Sequence, residues 1–177
     1  NKGSISAYKI TPSGYEAIGV VLEEDFHLSF PFIFEYENEI FMCPETHEKK
    51  EIILYKCIDF PRKWEFHTTL MKNVSAADTI IFKHKNRWWL LTNIDQSCVA
   101  DYGCQLHIFS SNNPMSDEWI AHENNPVIFD PLIARNGGLI LSDNEIYRVF
   151  QRQGFDMYGE GSGIARITRL SSTEYVE

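Results

Sequence analysis

The sequence lacks most of the features that place a protein quickly. No apolar run approaches the roughly 20 residues of a membrane-spanning helix, and no signal-peptide pattern is visible, so no membrane partner is expected. No Lys/Arg-rich run occurs; 16 basic side chains stand against 25 acidic ones, a net charge of −9 with histidines neutral. A nucleic-acid surface needs clustered positive charge, so no nucleic-acid partner is expected either. Cysteine is scarce, at 43, 57, 98 and 104 only. None of the four makes a Cys-x-x-Cys pair, and the Cys98/Cys104 spacing is too loose for a zinc or redox motif. Cys43 and Cys57 lie inside apolar runs, as free buried thiols do. That favours a reducing, cytoplasmic compartment over secretion, and the Asn73–Ser75 sequon is too common a triplet to reverse it.

The familiar catalytic signatures are missing too. "GEGSG" at Gly159–Gly163 has neither the Lys nor the strand-to-helix setting of a P-loop. No Gly-x-Ser-x-Gly elbow exists. His27, His47 and His67 are evenly spaced, but at an interval that is no metal-ligand spacing. No cofactor or metal is therefore implied. Helical periodicity is almost absent, and Pro and Gly punctuate the loops.

What is present is a globular composition and a repeat. The 177 residues are 44% hydrophobic and 14% aromatic, enough for one domain with a sizeable core. Three short stretches read alike: "NEIF" at Asn38–Phe41, "NRWW" at Asn86–Trp89 and "NEIY" at Asn144–Tyr147. Each follows a β-rich run and precedes another, which is the grammar of a hairpin. A third apolar run comes next ("IILYKCI", "QLHIF", "IARIT"), then a polar loop and an aromatic: Trp64, Trp119, Tyr175. Three or four short antiparallel strands per unit, at a period near 50, predict an all-β protein of the β-propeller type rather than a sandwich. The expected units are a partial blade at 1–26 and blades at 27–74, 75–128 and 129–177, about three and a half in all. Such an open ring leaves sheet faces bare, so the chain is expected to pair with a second copy, to bind an amino-terminal segment it lacks, or to aggregate.

Residues equidistant from a hairpin turn face each other. Counting about eight positions outward pairs Ser29 with Glu45, Asp78 with Asn93 and Arg135 with Gln151, all at the end away from the turn. If the first strands line a propeller axis, these pairs converge on one rim, with His27 just ahead of the first. Carboxylates, amides and a guanidinium suit sugar hydroxyls, and an aromatic such as Tyr158 suits a pyranose face. Glycoside hydrolysis needs two carboxyl groups roughly 5 to 9.5 Å apart. Glu45 and Asp78, on neighbouring blades, are the candidates. Glu45 follows the apolar run "IFMCP" and is expected to be the general acid with the raised pKa, with Asp78 as base or as the group tuning it. His27, Asn93, Arg135, Gln151 and Tyr158 would bind hydroxyls or an anionic group. Each has a plainer reading: Asp78 as a turn cap, Glu45 paired to a surface Lys, Arg135 in a structural salt bridge. Trp88 and Trp89 read as core.

Several stretches carry a resemblance. His27–Thr46, Glu51–Phe66, "ADTIIFKHKNRWWLLTN" at Ala77–Asn93, "ARNGG" at Ala134–Gly138 and "IYRVFQ" at Ile146–Gln151 resemble the amino-terminal domain of plant glucosamine inositolphosphorylceramide transferases and its bacterial relatives. That domain is similar in turn to the five-bladed propellers of family 43 glycoside hydrolases. The resemblance implies a five-bladed fold, incomplete in this chain, and a sugar-linked context. In the plant proteins a separate carboxy-terminal glycosyltransferase domain is the one expected to transfer sugar, and some bacterial relatives adjoin formyltransferase-like domains. Such domains carry an upstream Ala-Asp-Pro-Phe motif whose Asp matches a glycosidase base; nothing like it precedes the first strand here. Two functions stay open: a carbohydrate- or sugar-conjugate-recognising propeller, hydrolytic if Glu45 and Asp78 act as a pair, or a non-catalytic scaffold that positions a glycosyl- or formyltransferase domain.

Overall fold

The computed structural model describes residues 2–96, 101–143, 145–154 and 157–177. It is built almost wholly of antiparallel strands. β1 (Ile5–Thr11) and β2 (Gly14–Leu22) form a ribbon. β3 (Ser29–Tyr36), β4 (Glu39–Glu45), β5 (Glu51–Asp59) and β6 (Lys63–Lys72) form a four-stranded meander, here called blade B. β7 (Ala76–His84), β8 (Arg87–Ile94), β9 (Gln105–Ser111) and β10 (Ile120–Ala121) form blade C, with β11 (Ile128–Phe129) also paired to β9. β12 (Arg135–Ser142), β13 (Glu145–Arg152) and β14 (Gly161–Ile167) form blade D. β15 (Arg169–Leu170) and β16 (Tyr175–Val176) pair with each other rather than with β14. The loop between them leans on blade C instead, where Glu123 N–H donates to the Ser172 carbonyl at 3.1 Å. One turn of 3-10 helix, His47–Lys49, follows β4.

The recurrent turn is a two-residue hairpin loop each time. Closing pairs are Tyr36 with Glu39, His84 with Arg87 and Ser142 with Glu145. Glu37 (φ 52°) and Asn38 (φ 62°) both sit in the left-handed region, the geometry whose twist suits a tight hairpin. Asn86 occupies the second loop; Asn144 lies outside the described residues, as does Cys98.

Strand alternation then divides the core between blade faces. In β8, Trp88 and Leu90 face blade B, joining Cys43, Ile52, Leu54 and Ile81. Their neighbours Trp89 and Leu91 face blade D, joining Ile80, Phe82, Leu106, Ile108, Ile146 and Ile167. A third cluster seats the β1–β2 ribbon on blade B through Ile5, Leu22, Met42, Tyr55 and Trp64. A central blade is apolar on both faces because each face meets a neighbour. Burying each large side chain stabilises by about 1.5–3 kcal/mol, which is why β8 reads as an unbroken apolar run.

The first strand of each blade carries a β-bulge near its start. The register breaks between Ser29 and Phe32, between Ala77 and Ile80, and between Asn136 and Gly138. At these bulges Phe30 (φ 43°), Asp78 (φ 51°) and Gly138 (φ 148°) have positive φ. A bulge bends its strand and re-aims a side chain. Three bulges at matching heights on adjacent first strands therefore shape one end of the propeller.

Candidate functional site

Blade C supplies the centre of the site. The bulge turns Asp78 inward, and Asn136 holds it there by donating its side-chain N–H to the Asp78 carbonyl at 2.9 Å. The Asp78 carboxylate Oδ2 accepts from Arg135 Nε at 2.7 Å. Arg135 comes from blade D, so the ion pair bridges two blades. The Tyr158 ring covers the guanidinium at 4.9 Å, a cation–π contact. Tyr158 itself is 71% exposed.

Blade B supplies the second carboxylate. Glu45 ends β4 opposite Ser29 and is buried. Its Oε1 bonds His47 Nδ1 at 2.7 Å. The His47 ring lies 5.4 Å from that of Tyr102, whose hydroxyl bonds Ser75 Oγ at 2.7 Å. His27 stands behind, with ring centroids 6.0 Å from His47; its Nδ1 accepts from Gly3 N–H at 3.0 Å.

The Asp78 carboxyl also feels the negative charge of Glu45 from the neighbouring blade. Burial pushes the Asp78 carboxyl up to about 6; Arg135 opposes this, and the neighbouring Glu45 reinforces it. The raised carboxyl is that of Asp78, the residue expected to act as base or to tune its partner. The bulge buries Asp78 more deeply than its place in a β-run suggested. The Arg135 ion pair also bears on chemistry: it occupies Asp78 Oδ2 and favours the ionised form, whereas a general acid must carry a proton.

The remaining candidates divide. Arg135 faces Gln151 across the β12–β13 hairpin, and Gln151 Nε2 donates to the Asn136 carbonyl at 2.9 Å. Asn93 pairs with Ala77, one residue short of the expected Asp78, because the bulge inserts there. It is fully buried, and its amide is spent: Nδ2 donates to the carbonyls of Gln105 (2.8 Å) and Ala134 (2.9 Å), and Oδ1 accepts from Asn136 N–H (2.8 Å). With both donors used inside the fold, Asn93 cross-links blades C and D and offers nothing to a ligand. His47, Tyr102 and Asn136 belong to the site and were not singled out from the sequence. His47 had a signal: two positions after Glu45, it stays on the same side of the chain. Among the described residues, no group of three or more His, Cys, Asp or Glu could hold a metal ion.

The family model described as "Glucosamine inositolphosphorylceramide transferase 1, N-terminal" matches residues 2–177. The chain belongs to this family. Curated relatives in it include glucosamine inositolphosphorylceramide transferase 1 of Arabidopsis thaliana, 35% identical over 99% of this chain, and that of Oryza sativa subsp. japonica, 34% identical over 92%. This member of the transferase N-terminal family spans 23% and 22% of those relatives' lengths. Its backbone is similar to solved family-43 glycoside hydrolase propellers. A thermostable family-43 glycoside hydrolase matches with a TM-score of 0.67 at 10% identity, covering 96% of this chain and 64% of that one. A Bacteroides ovatus xyloglucan PUL GH43B matches at 0.66 and 12% identity, covering 93% and 35%. These likenesses give the fold: a propeller of the family-43 type, incomplete within this chain; among the described residues no sheet closes on itself.

Proposed function

We propose that this propeller recognises a carbohydrate or sugar conjugate at the rim where blades B, C and D meet, and that it binds without hydrolysing. The observation that carries the reading is the Asp78–Arg135 pair, joined by Glu45 from a third blade. Three blades converge to present acceptors and a donor beside two aromatic rings, Tyr102 and Tyr158. Sugar recognition wants that mixture. The curated relatives' name couples glucosamine to an inositol phosphate conjugate. A hexosamine or an inositol phosphate headgroup is accordingly the ligand class to try first.

A hydrolytic reading has one observation in its favour, the proton held by Asp78 up to about pH 6, as a general acid requires. The Arg135 guanidinium bonded to the same carboxylate weighs against it, since it favours the ionised form.

The test is calorimetric titration of the chain with methyl glycosides, glucosamine and inositol 1-phosphate, together with a screen of chromogenic glycosides. Binding that weakens about tenfold or more in Glu45→Gln, as loss of a charged hydrogen-bond partner requires, with no hydrolysis, supports recognition. Turnover of any glycoside that is lost in Asp78→Asn would establish the enzyme instead. Silence in both assays would leave the scaffold role.

A further inference from the structure

The end of the propeller opposite the rim carries a second collection of polar groups. β7 runs on from Asp78 to His84, about 20 Å at the usual rise of an extended strand, so one small ligand cannot occupy both ends. Two adjoining hollows open at the far end, between the β7–β8 turn and blade D. One, of about 440 Å³, is lined by His84, Lys85, Ile146, Ile167, Arg169 and Glu174, among others. The second, of about 680 Å³, adds Lys83, Asp143 and Glu145. His84, Lys85 and Ile146 border both, so the two form one groove. We infer that this groove binds a phosphomonoester, and that Lys83, Lys85 and Arg87 hold its dianion.

The charge balance of the groove carries the inference. Its carboxylates are mostly spent: Glu145 is tied to Arg166 at 2.9 Å, and Glu174 to Arg169. Asp143 is the remaining carboxylate of the lining. Against it stand Lys83 and Lys85 in the lining and Arg87 beside them, three cations within five residues of a chain whose net charge is −9. Among the described residues, none of these three side chains makes an ion pair or a hydrogen bond. Arg87 faces His84 across the hairpin, and cross-strand partners point to the same side of a sheet. It is half-buried, and its Nε is shut off from solvent with no hydrogen-bond partner. A buried donor left bare carries a penalty, which an oxyanion seated beside His84 relieves. The His84 imidazole is itself held below its ordinary value, by burial first and by Lys85 second; the second cause is what a positive local field does to a neighbouring base.

The remaining donors decide the ligand class. Thr168 Oγ donates to the Val176 carbonyl at 3.2 Å, and Ser171 Oγ to the Glu174 carbonyl at 3.4 Å. With those hydroxyls used inside the fold, the donors left over are chiefly cationic, which selects an anion over a neutral sugar. Three unpaired cations call for more than a single negative charge. A phosphomonoester brings nearly two, on three strong acceptor oxygens, whereas a diester or a carboxylate brings one. Each hollow lies within the roughly 300–1,000 Å³ of small-molecule sites, so the alcohol part of the ester has room beside its phosphate. A soluble ester and a lipid headgroup present the same group, and the test has an arm for each.

The test uses the intact chain in low-salt, phosphate-free buffer at about pH 8, above the second phosphate pKa of about 6. Calorimetry compares methyl phosphate, glucose 6-phosphate and the diester dimethyl phosphate. Sedimentation compares phosphatidylcholine vesicles containing phosphatidic acid, a monoester, with vesicles containing phosphatidylglycerol, a diester. The monoester should bind at least about tenfold more tightly than the diester in one arm or both, and added salt should weaken it. Binding in the calorimetric arm assigns a soluble ester; binding to phosphatidic acid vesicles alone assigns a lipid headgroup. Lys85→Gln and Arg87→Gln should each weaken binding about tenfold or more, as loss of a charged hydrogen-bond donor implies. Lys63→Gln, at an exposed pair with Glu65 on blade B, should leave it unchanged. Equal affinity for monoester and diester, binding that survives Lys85→Gln, or no binding in either arm would each overturn the site. Lys85 is exposed, so its variant decides the matter even if Arg87→Gln does not fold.

Discussion

pH reaches this fold chiefly through Asp78. Its carboxyl is pushed from an ordinary 3.8 to about 6, first of all by burial. Between those values the unfolded chain has ionised this side chain while the folded chain still holds the proton. The folded state then binds more protons, so stability falls as pH rises. The contribution is fully present below about pH 4 and is lost once the pH passes about 6. Each tenfold in proton affinity is about 1.4 kcal/mol, so a gap of about two powers of ten amounts to about 3 kcal/mol. Asp78 is only 3% exposed, so solvent screens little of this. Asp78→Asn cannot ionise and lacks this dependence. Carboxyls remote from Asp78 titrate in both proteins and cancel in the comparison; Glu145, held low by Tyr147 and Arg166, is one of them. Urea unfolding followed by tryptophan fluorescence at pH 4, 5, 6 and 7 measures the difference directly. Wild type minus Asp78→Asn should drop by about 3 kcal/mol from pH 4 to pH 7. A difference that stays constant would refute the buried-acid argument. A difference that rises would show that the Arg135 ion pair outweighs burial.

Three further outcomes follow from the contacts around the site. Asn93→Ala strips partners from Asn136 N–H and two carbonyls; it should cost about 3 kcal/mol or more by denaturant midpoint, at about 1–3 kcal/mol per stranded group. Arg148 is fully buried, and its guanidinium bonds Glu177 and the Ile133 carbonyl. Arg148→Met strands that carboxylate and should destabilise by roughly 3–5 kcal/mol, whereas Arg166→Met, at an exposed pair with Glu145, should change stability by less than about 1 kcal/mol. Tyr158→Ala exposes the Arg135 guanidinium without touching the core; it should leave the melting temperature unchanged while weakening glycoside binding, and a lowered melting temperature would assign Tyr158 to the fold instead.

The fold was legible because its signal repeats. Asn38 and Asn86 sit in two-residue loops, and the register pairs Ser29 with Glu45 and Arg135 with Gln151, as counting outward from the turns predicts. Counting missed Asp78 by one place because a bulge adds a residue, and no composition rule marks a bulge when the extra residue is Asp or Phe. The same bulge turns Asp78 inward, and burial there raises its carboxyl. Asn93 looked like a sugar ligand because amides bind hydroxyls. Only the three-dimensional packing reveals that blade D has already used its hydrogen bonds.

The repeat and the site are connected through that bulge. A propeller places the same backbone feature once per blade at one height, so three equivalent positions face a common space. If those positions carried like residues, the rim would be a ring of identical groups, with like charges repelling or apolar walls collapsing on one another. Here they differ. Blade B has Phe30, blade C has Asp78, and blade D has a glycine pair just after Arg135. The carboxylate's cost of burial is partly offset by the guanidinium of the next blade, and the glycines let β12 run close against Val149 of β13. Each residue makes sense only beside its two neighbours. Exchanging them between blades would keep composition and hairpin pattern alike, yet it would separate Asp78 from Arg135 and press a side chain on Val149. The repetition therefore builds the frame, and the differences at its matched positions make the site.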